Sequence, residues 1–399
     1  MTDATGPADL LYSEVEEELR SSVRALLADH CPPEAILARC EGPAPYDPAL
    51  WRKLAADLGA AGLQVPEALG GAGASLRETA VVLEELGRSA APVPFLGSAV
   101  LATTALLACG AEELLSALAG GERTAALAVP LSTAPGTGFP ATVRVDGAGT
   151  LNGRITSVAD ALVADVLLVP AAGPAGAALY AVEAAAAGLA LARRTSLDLT
   201  RPLADLALTG VPARAVAVGA DAEEAVRQAL LTGAGLLASE QLGIAEWCLS
   251  TTVAYLKDRT QFARPVGSFQ ALKHRLADLW LEIVGARAAA RYAADVLARG
   301  DADAEVAVAV AQAHCGAVAV RAAEECVQLH GGIGMTWEHP AHLYLKRAKA
   351  DQIALGTPGT HRAALARRAR ACSRPARGSR RPRWRCRGRA RGRCRRWPG

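Results

Sequence analysis

The chain changes its hydrophobic periodicity twice, and this change limits the folds that its 399 residues can adopt. Behind an S-x-x-E capping box that begins at Ser13, apolar residues recur at helical spacing from Val15 to Leu26. Short alternating runs, separated by Gly, Pro, Asn and Asp, follow from about residue 123 to 218 and are typical of antiparallel strands. Long helical periodicity then returns over about 219–368. The order helix, sheet, helix excludes an alternating, parallel α/β fold.

We therefore predict an α+β protein with an N-terminal helical domain, a middle antiparallel β domain and a C-terminal four-helix bundle. The predicted limits are residues 1–122, 123–218 and 219–368, followed by an Arg-rich disordered tail over 369–399. The runs predicted as strands are 142–145, 151–157, 166–169, 179–182 and 205–209. A single last helix is expected after Pro340, reaching to about Arg370.

Charge is distributed unevenly between the body of the chain and its end. The net charge is +3, but residues 371–399 contain 12 Arg and no acidic residue, which leaves −9 on residues 1–370. Clustered arginines can neutralise phosphates, so a nucleic-acid-binding arm is one interpretation of the tail. The alternative is an accidental, unstructured extension, and the acidic body favours it. Nucleic acid is therefore not expected as a partner.

The N-terminal sequence and the cysteines bear on the cellular compartment in which the protein is expected. MTDATGPADL has neither the basic region nor the apolar stretch of a secretory signal, and no uninterrupted apolar run is long enough to span a membrane. The nine cysteines include no C-x-x-C pair, so neither a disulfide framework nor a zinc site is predicted. We expect a cytoplasmic protein without a metal site.

Three segments carry residue types suited to an anionic, planar ligand. DRTQFARPV includes Arg259 beside an amide and an aromatic side chain, and a guanidinium binds phosphate bidentately. In QLHGGIGM, Gly331 and Gly332 would let phosphate oxygens approach backbone N–H groups. The third segment, LGTPGTHR, is a turn that contains Thr357. Taken singly, an Arg at a helix end is usually solvated and HGG is usually a helix C-cap.

Taken together, these segments resemble one family. YLKDRTQFARPVGSFQALKHRLADL and ECVQLHGGIGMTWEHPAHLYLKRAK closely resemble signature segments of the acyl-CoA dehydrogenase family, and the resemblance extends over roughly residues 10–368. It implies FAD as cofactor and α,β-dehydrogenation of an acyl-CoA thioester to the enoyl-CoA. It also implies an electron-transfer flavoprotein or similar acceptor, and a homo- or hetero-oligomer, either dimer or tetramer.

The resemblance also implies which residues bind FAD at a subunit interface. Contacts with the pyrophosphate and adenosine of the neighbouring subunit's FAD would come from Arg259, Gln261 and Phe262. Complementary phosphate and ribose contacts, meeting the first group across the interface, would come from Gln328, Gly331 and Gly332. Thr357 would approach the flavin.

The chain departs from the family pattern at the flavin loop and at the catalytic base. VPLSTAPGTGFP stands where the family has a loop with Glu and Asp, and Arg154-Ile155-Thr156 replaces a lysine, aromatic and threonine segment. The glutamate that removes the substrate α-proton is replaced by Leu355, and the alternative glutamate position, on the long helix before Arg259, is Gly233. Removal of this proton requires a basic group within reach.

Glu240 is the nearest carboxylate, seven residues after Gly233 and about two turns along the same helix. It is a candidate displaced base, and the alternative is a helix glutamate in a structural ion pair or facing solvent. Two functions therefore stay open. The chain is either an active dehydrogenase or a non-catalytic subunit that completes the FAD site of an active partner, as in systems acting on bulky acyl-CoAs such as steroid side chains.

Overall fold

A computed structural model describes residues 10–42, 44, 46–147, 149–173 and 176–373. The N-terminal helices are α1 (Glu14–His30), α2 (Pro33–Glu41), α3 (Pro48–Arg52), α4 (Leu76–Arg88), α5 (Thr103–Cys109) and α6 (Glu112–Ala119). The strands of the middle sheet are β1 (Ala125–Leu127), β2 (Val143–Val145), β3 (Thr150–Ala159), β4 (Val166–Gly173), β5 (Gly176–Glu183), β6 (Leu189–Arg194), β7 (Leu203–Pro212) and β8 (Arg214–Val218). The C-terminal part contains α7 (Ala220–Asp258), β9 (Thr260–Gln261), β10 (Arg264–Pro265), α8 (Gln270–Arg299), α9 (Ala304–Leu329), α10 (Ala341–Ile353) and α11 (Pro358–Ser373).

The three-part order predicted from periodicity is confirmed. The predicted limits at residues 122 and 218 fall in the connections between α6 and β1 and between β8 and α7, and the division into separate domains stays a prediction. The capping box at the start of α1 is present, with the Ser13 hydroxyl accepting from the backbone of Glu16. Most of the predicted tail, residues 374–399, lies outside the described residues.

The middle sheet is mainly antiparallel, as predicted. Its strands lie in the order β6-β7-β3-β2-β4-β5-β8, and β4 also pairs in parallel with β1 and β2. Successive side chains of β4 pack alternately into two separate hydrophobic cores. Val166 and Leu168 of β4 pack with the helices, whereas Leu167 and Val169 pack with the sheet's own apolar cluster. The sheet thereby joins the helical core on one side.

Three strands of the middle sheet and the short strands β9 and β10 were not predicted individually, and one helix was predicted where two exist. β1, β6 and β8 contain AAL, LALARR and RAVAV, in which alanine weakens the signal of a strand. The segment after Pro340 forms α10 and α11 because Leu355 and Gly356 adopt positive φ values of 52° and 102° between them. This turn ends the first helix, and Pro358 begins the second.

The helices α7 and α9 form the centre of the C-terminal bundle. α9 is long and apolar enough to cross a membrane by length and composition, but 67% of its most apolar window is buried inside the protein. The thiol of Cys315 on α9 donates to the carbonyl of Ala286 on α8. The apolar character of α9 is therefore explained by packing in the bundle core.

Close backbone contact between α4 and α7 depends on two glycines. A Cβ at Gly243 would collide with the carbonyl oxygen of Glu84, and one at Gly87 would collide with the carbonyl oxygen of Glu240. We predict that Gly243→Ala lowers the free energy of unfolding by about 2 kcal/mol, because overpacking forces the helices apart. Chemical denaturation of the variant and the parent protein checks this value.

Gly147→Ala is the control, since a Cβ at that position meets nothing within 4 Å. Its free energy of unfolding should differ from the parent value by less than about 0.5 kcal/mol. Equal stabilities for Gly243→Ala and Gly147→Ala would show that the helices do not approach as closely as described.

Candidate functional site

The two positions at which relatives are expected to carry a base lie side by side. A Cβ built on Gly233 of α7 would lie 3.2 Å from Cδ1 of Leu355 and would collide with Cδ2 of Leu101. Leu355 is completely buried and Leu101 is 4% exposed. We call these three residues the leucine cluster. It contains no group that titrates, and the space beside Gly233 is already filled by leucine side chains.

The backbone of Leu355 is fixed on both sides. Its N–H donates to the carbonyl oxygen of Leu131 at 2.7 Å, and its carbonyl oxygen accepts from Nε2 of His361 at 3.0 Å. Positive φ at a leucine costs on the order of 1 kcal/mol and persists where neighbouring contacts enforce it. Burial lowers the pKa of His361, and Nε2 carries a proton in this contact because a carbonyl oxygen can only accept. The side chain of Leu355 is therefore held in place.

Glu240 lies in an ion-pair cluster inside the protein. Its carboxylate accepts from Nη2 of Arg201 at 2.6 Å and from Nε of Arg347 at 2.7 Å, and all three side chains are at most 5% exposed. Burial opposes the charge, but the two guanidinium groups outweigh it and lower the pKa of Glu240 to about 2. A carboxylate that is buried and paired with two guanidinium groups is a weak base. The geometry favours the structural ion pair over the displaced base.

Two further acids complete this central ion-pair cluster. Asp198 accepts from Nη1 of Arg347 at 3.2 Å, and Asp351 accepts from Nη1 of Arg201 at 2.6 Å. Burial, followed by the charge of Glu240, raises the pKa of Asp351. Sequence reasoning missed this cluster, since three of its four pairs join residues 107–150 positions apart and the fourth, Arg201 with Glu240, joins residues 39 positions apart.

The predicted FAD-contact residues of the first group are on the surface. Arg259 follows α7, and its side chain has no partner among the residues that the structure describes. Gln261 pairs with Arg264 in the hairpin of β9 and β10, and Phe262, at the tip of the hairpin, is 86% exposed. Arg264, not singled out from the sequence, stacks its guanidinium 3.9 Å from the ring centre of Phe269. This hairpin presents two cations and an aromatic ring outward.

The second group follows α9 and is also exposed. Gly331 has φ of 64°, and a Cβ at Gly331 or Gly332 would meet nothing within 4 Å, so both leave open space for a ligand. Gln328 is exposed one turn earlier. His330 stacks on Tyr255 of α7 with ring centres 4.5 Å apart. Both groups therefore lie at the same end of the bundle, and their meeting across a subunit interface stays a prediction.

Thr357 is exposed at the start of α11. Its hydroxyl accepts from the backbone N–H of Thr360 at 3.2 Å and lies 3.0 Å from the hydroxyl of that residue. This is the arrangement of an N-cap, in which a side-chain oxygen satisfies a free N–H at the first turn of a helix. Thr357 thus connects the turn of Leu355 to α11.

Comparison with known proteins agrees with this fold and this set of segments. Residues 13–119 match the acyl-CoA dehydrogenase N-terminal domain, and residues 224–370 match the acyl-CoA dehydrogenase C-terminal domain. The chain belongs to the acyl-CoA dehydrogenase family, whose members are FAD-dependent oxidoreductases. The family, its fold and its cofactor are therefore as predicted from the sequence.

Individual members of this family are similar to the chain over most of its length. The acyl-CoA dehydrogenase IpdE2 of Mycolicibacterium smegmatis is 38% identical over 354 residues, which cover 87% of this chain and 96% of that protein. The ChsE4-ChsE5 complex from Mycobacterium tuberculosis contains a chain 32% identical, with a TM-score of 0.82 and coverage of 92% and 100%. The Tcur3481-Tcur3483 steroid ACAD has 33% identity, a TM-score of 0.80 and coverage of 90% and 99%.

Removing the acid at the centre of the ion-pair cluster should destabilise the fold. Glu240→Gln leaves two buried guanidinium groups without their shared carboxylate, and we predict a loss of about 3 kcal/mol in the free energy of unfolding at pH 7. Denaturant titration measures this loss. Glu224→Gln, at an exposed pair with Arg227 on the same helix, is the control and should lose less than about 1 kcal/mol.

The same variant should change the response to acid. Because the pKa of Glu240 is lowered in the folded state, its stabilising effect is complete above the unfolded pKa and is lost as pH falls towards 2. The stability of Glu240→Gln should therefore decline less steeply than that of the parent between pH 5 and pH 2. Parallel curves would contradict the role assigned to this carboxylate.

Proposed function

We propose that this chain is the non-catalytic subunit of a hetero-oligomeric acyl-CoA dehydrogenase and completes the FAD site of an active partner. The observation that carries the proposal is the leucine cluster, because both positions expected to supply the base are apolar and packed. An active dehydrogenase with Glu240 as base is the alternative, and the two arginines that occupy the Glu240 carboxylate disfavour it.

The reaction assigned to the assembly is α,β-dehydrogenation of an acyl-CoA thioester. Bound FAD would supply the acceptor for the hydride from the β-carbon, and an electron-transfer flavoprotein or similar acceptor is the proposed next carrier. The α-proton needs a carboxylate, which this chain does not provide at Leu355 or Gly233. The partner subunit would supply that carboxylate from its own chain.

The chain's contribution to FAD would come from the end of the bundle that carries both exposed groups. Arg259 would pair with the pyrophosphate, and the open backbone at Gly331 and Gly332 would let phosphate oxygens reach N–H groups. Gln261, Phe262 and Gln328 would add polar and ring contacts with ribose and adenine. These residues fit such a group because they face outward and leave space beside the backbone.

The relatives support a bulky substrate and a mixed assembly. Two structures similar to this chain are named as paired proteins, and one of these names includes the word steroid. We propose a polycyclic acyl-CoA of that kind as substrate and a cytoplasmic location.

A carboxylate placed at position 355 tests whether the absence of a base there limits the rate of flavin reduction. We predict that Leu355→Glu, in chain loaded with FAD, bleaches the flavin on anaerobic addition of acyl-CoA at least 100-fold faster than the parent, because general base catalysis contributes about 10²–10⁴-fold. Stopped-flow absorbance measures the rate. Leu355→Gln has the same shape without a base and should match the parent. Equal rates for the Glu and Gln variants would contradict this role of position 355.

Removal of the exposed cation after α7 tests the FAD contact. Arg259→Ala should weaken FAD binding by about 10- to 100-fold in the assembled oligomer, as expected for loss of charge-assisted hydrogen bonds. Flavin content after dialysis against a series of FAD concentrations gives the affinity. Lys257→Ala, an exposed cation two residues earlier, is the control. The assignment fails if both variants retain flavin equally.

A further inference from the structure

A cavity separates the N-terminal helices from the sheet, on a part of the surface that the proposed FAD site does not use. Its volume is about 590 Å³, which is within the range of small-molecule sites. Apolar side chains contribute most of the wall, among them Trp51, Pro94, Leu162 and Leu191. No residue of the leucine cluster lines it. The cavity is therefore a candidate for a second ligand.

The wall of this cavity contains a buried donor without an acceptor. Trp51 is 7% exposed, and its indole Nε1 has no hydrogen-bond partner in the described part of the chain. Buried polar atoms are nearly always paired, and each exception calls for an explanation. Tyr46, the other aromatic residue of the wall, already donates its hydroxyl to Asp160 at 2.5 Å. Nε1 has almost no accessible surface, so a small rotation of the Trp51 ring would let an acceptor oxygen on a bound molecule satisfy the indole N–H.

The rim of the cavity has one positive charge that is not compensated. Arg193 is exposed on β6 and forms no ion pair with any described residue, whereas its neighbour Arg194 pairs with Asp205. The acid at the rim, Asp47, is held by Arg39 at 2.9 Å and also caps α3. The rim therefore favours an anion.

We propose that this cavity binds a small amphipathic carboxylate, with its apolar body against Pro94, Leu162 and Leu191. An oxygen of the ligand accepts from the indole N–H of Trp51, and its carboxylate pairs with Arg193. Apolar burial supplies the affinity, and the two polar contacts fix the orientation.

Deoxycholate is a suitable probe, because it has an apolar polycyclic body, hydroxyl oxygens and one carboxylate. Isothermal titration calorimetry on the full chain, below the critical micelle concentration and without acyl-CoA, measures binding. Trp51→Phe keeps an aromatic ring but removes the donor, and should weaken binding about 10-fold. Arg193→Gln should weaken it about 5-fold.

Two control variants distinguish this site from general adsorption. Arg194→Gln changes the adjacent arginine, and Trp280→Phe changes a 56% exposed tryptophan; neither residue lines the cavity. Both should bind deoxycholate like the parent. Absence of deoxycholate binding by the parent chain would overturn the proposal, as would equal affinities for all four variants. Because the assay needs neither FAD nor acyl-CoA turnover, its outcome is independent of the proposed function.

Discussion

The buried contact of Glu240 with Arg201 and Arg347 holds the three parts of the chain in one arrangement. Arg201 comes from the connection between β6 and β7, Glu240 from α7 and Arg347 from α10, and Nη2 of Arg347 also donates to the carbonyl of Ala91, which follows α4. Desolvating these charges is costly, so the cluster fixes which elements meet rather than adding much stability. Glu240 therefore has a structural role: it holds α7, α10 and the connection before β7 together.

The position of the leucine cluster follows from the ion pairs of Glu240. α7 carries Glu240 and, two turns earlier, Gly233, while α10 carries Arg347 and leads directly into Leu355. The ion pair of Glu240 with Arg347 therefore also places Gly233 beside Leu355. In the proposed function, Leu355 occupies the position at which a base is expected, and the surrounding architecture is kept. A subunit with an assembling role would retain this architecture without the base.

The sequence predicted the order of elements well because periodicity is a local property. Helical stripes, the capping box at Ser13 and five of the strands were all readable from neighbouring residues. The central ion-pair cluster was not. Partners more than a hundred residues away cannot be deduced from spacing. The break between α10 and α11 was missed for another reason, since positive φ is unusual for leucine.

The claim that this chain lacks a working base of its own is tested most directly by its visible spectrum. The unmodified chain would be purified as a homo-oligomer, supplied with FAD, and mixed anaerobically with a linear and a steroid acyl-CoA. We expect no rapid bleaching at 450 nm of the flavin that the chain holds, and rapid bleaching only after addition of a base-containing partner subunit. A fully flavin-loaded homo-oligomer that is bleached within the mixing time by either thioester would contradict it.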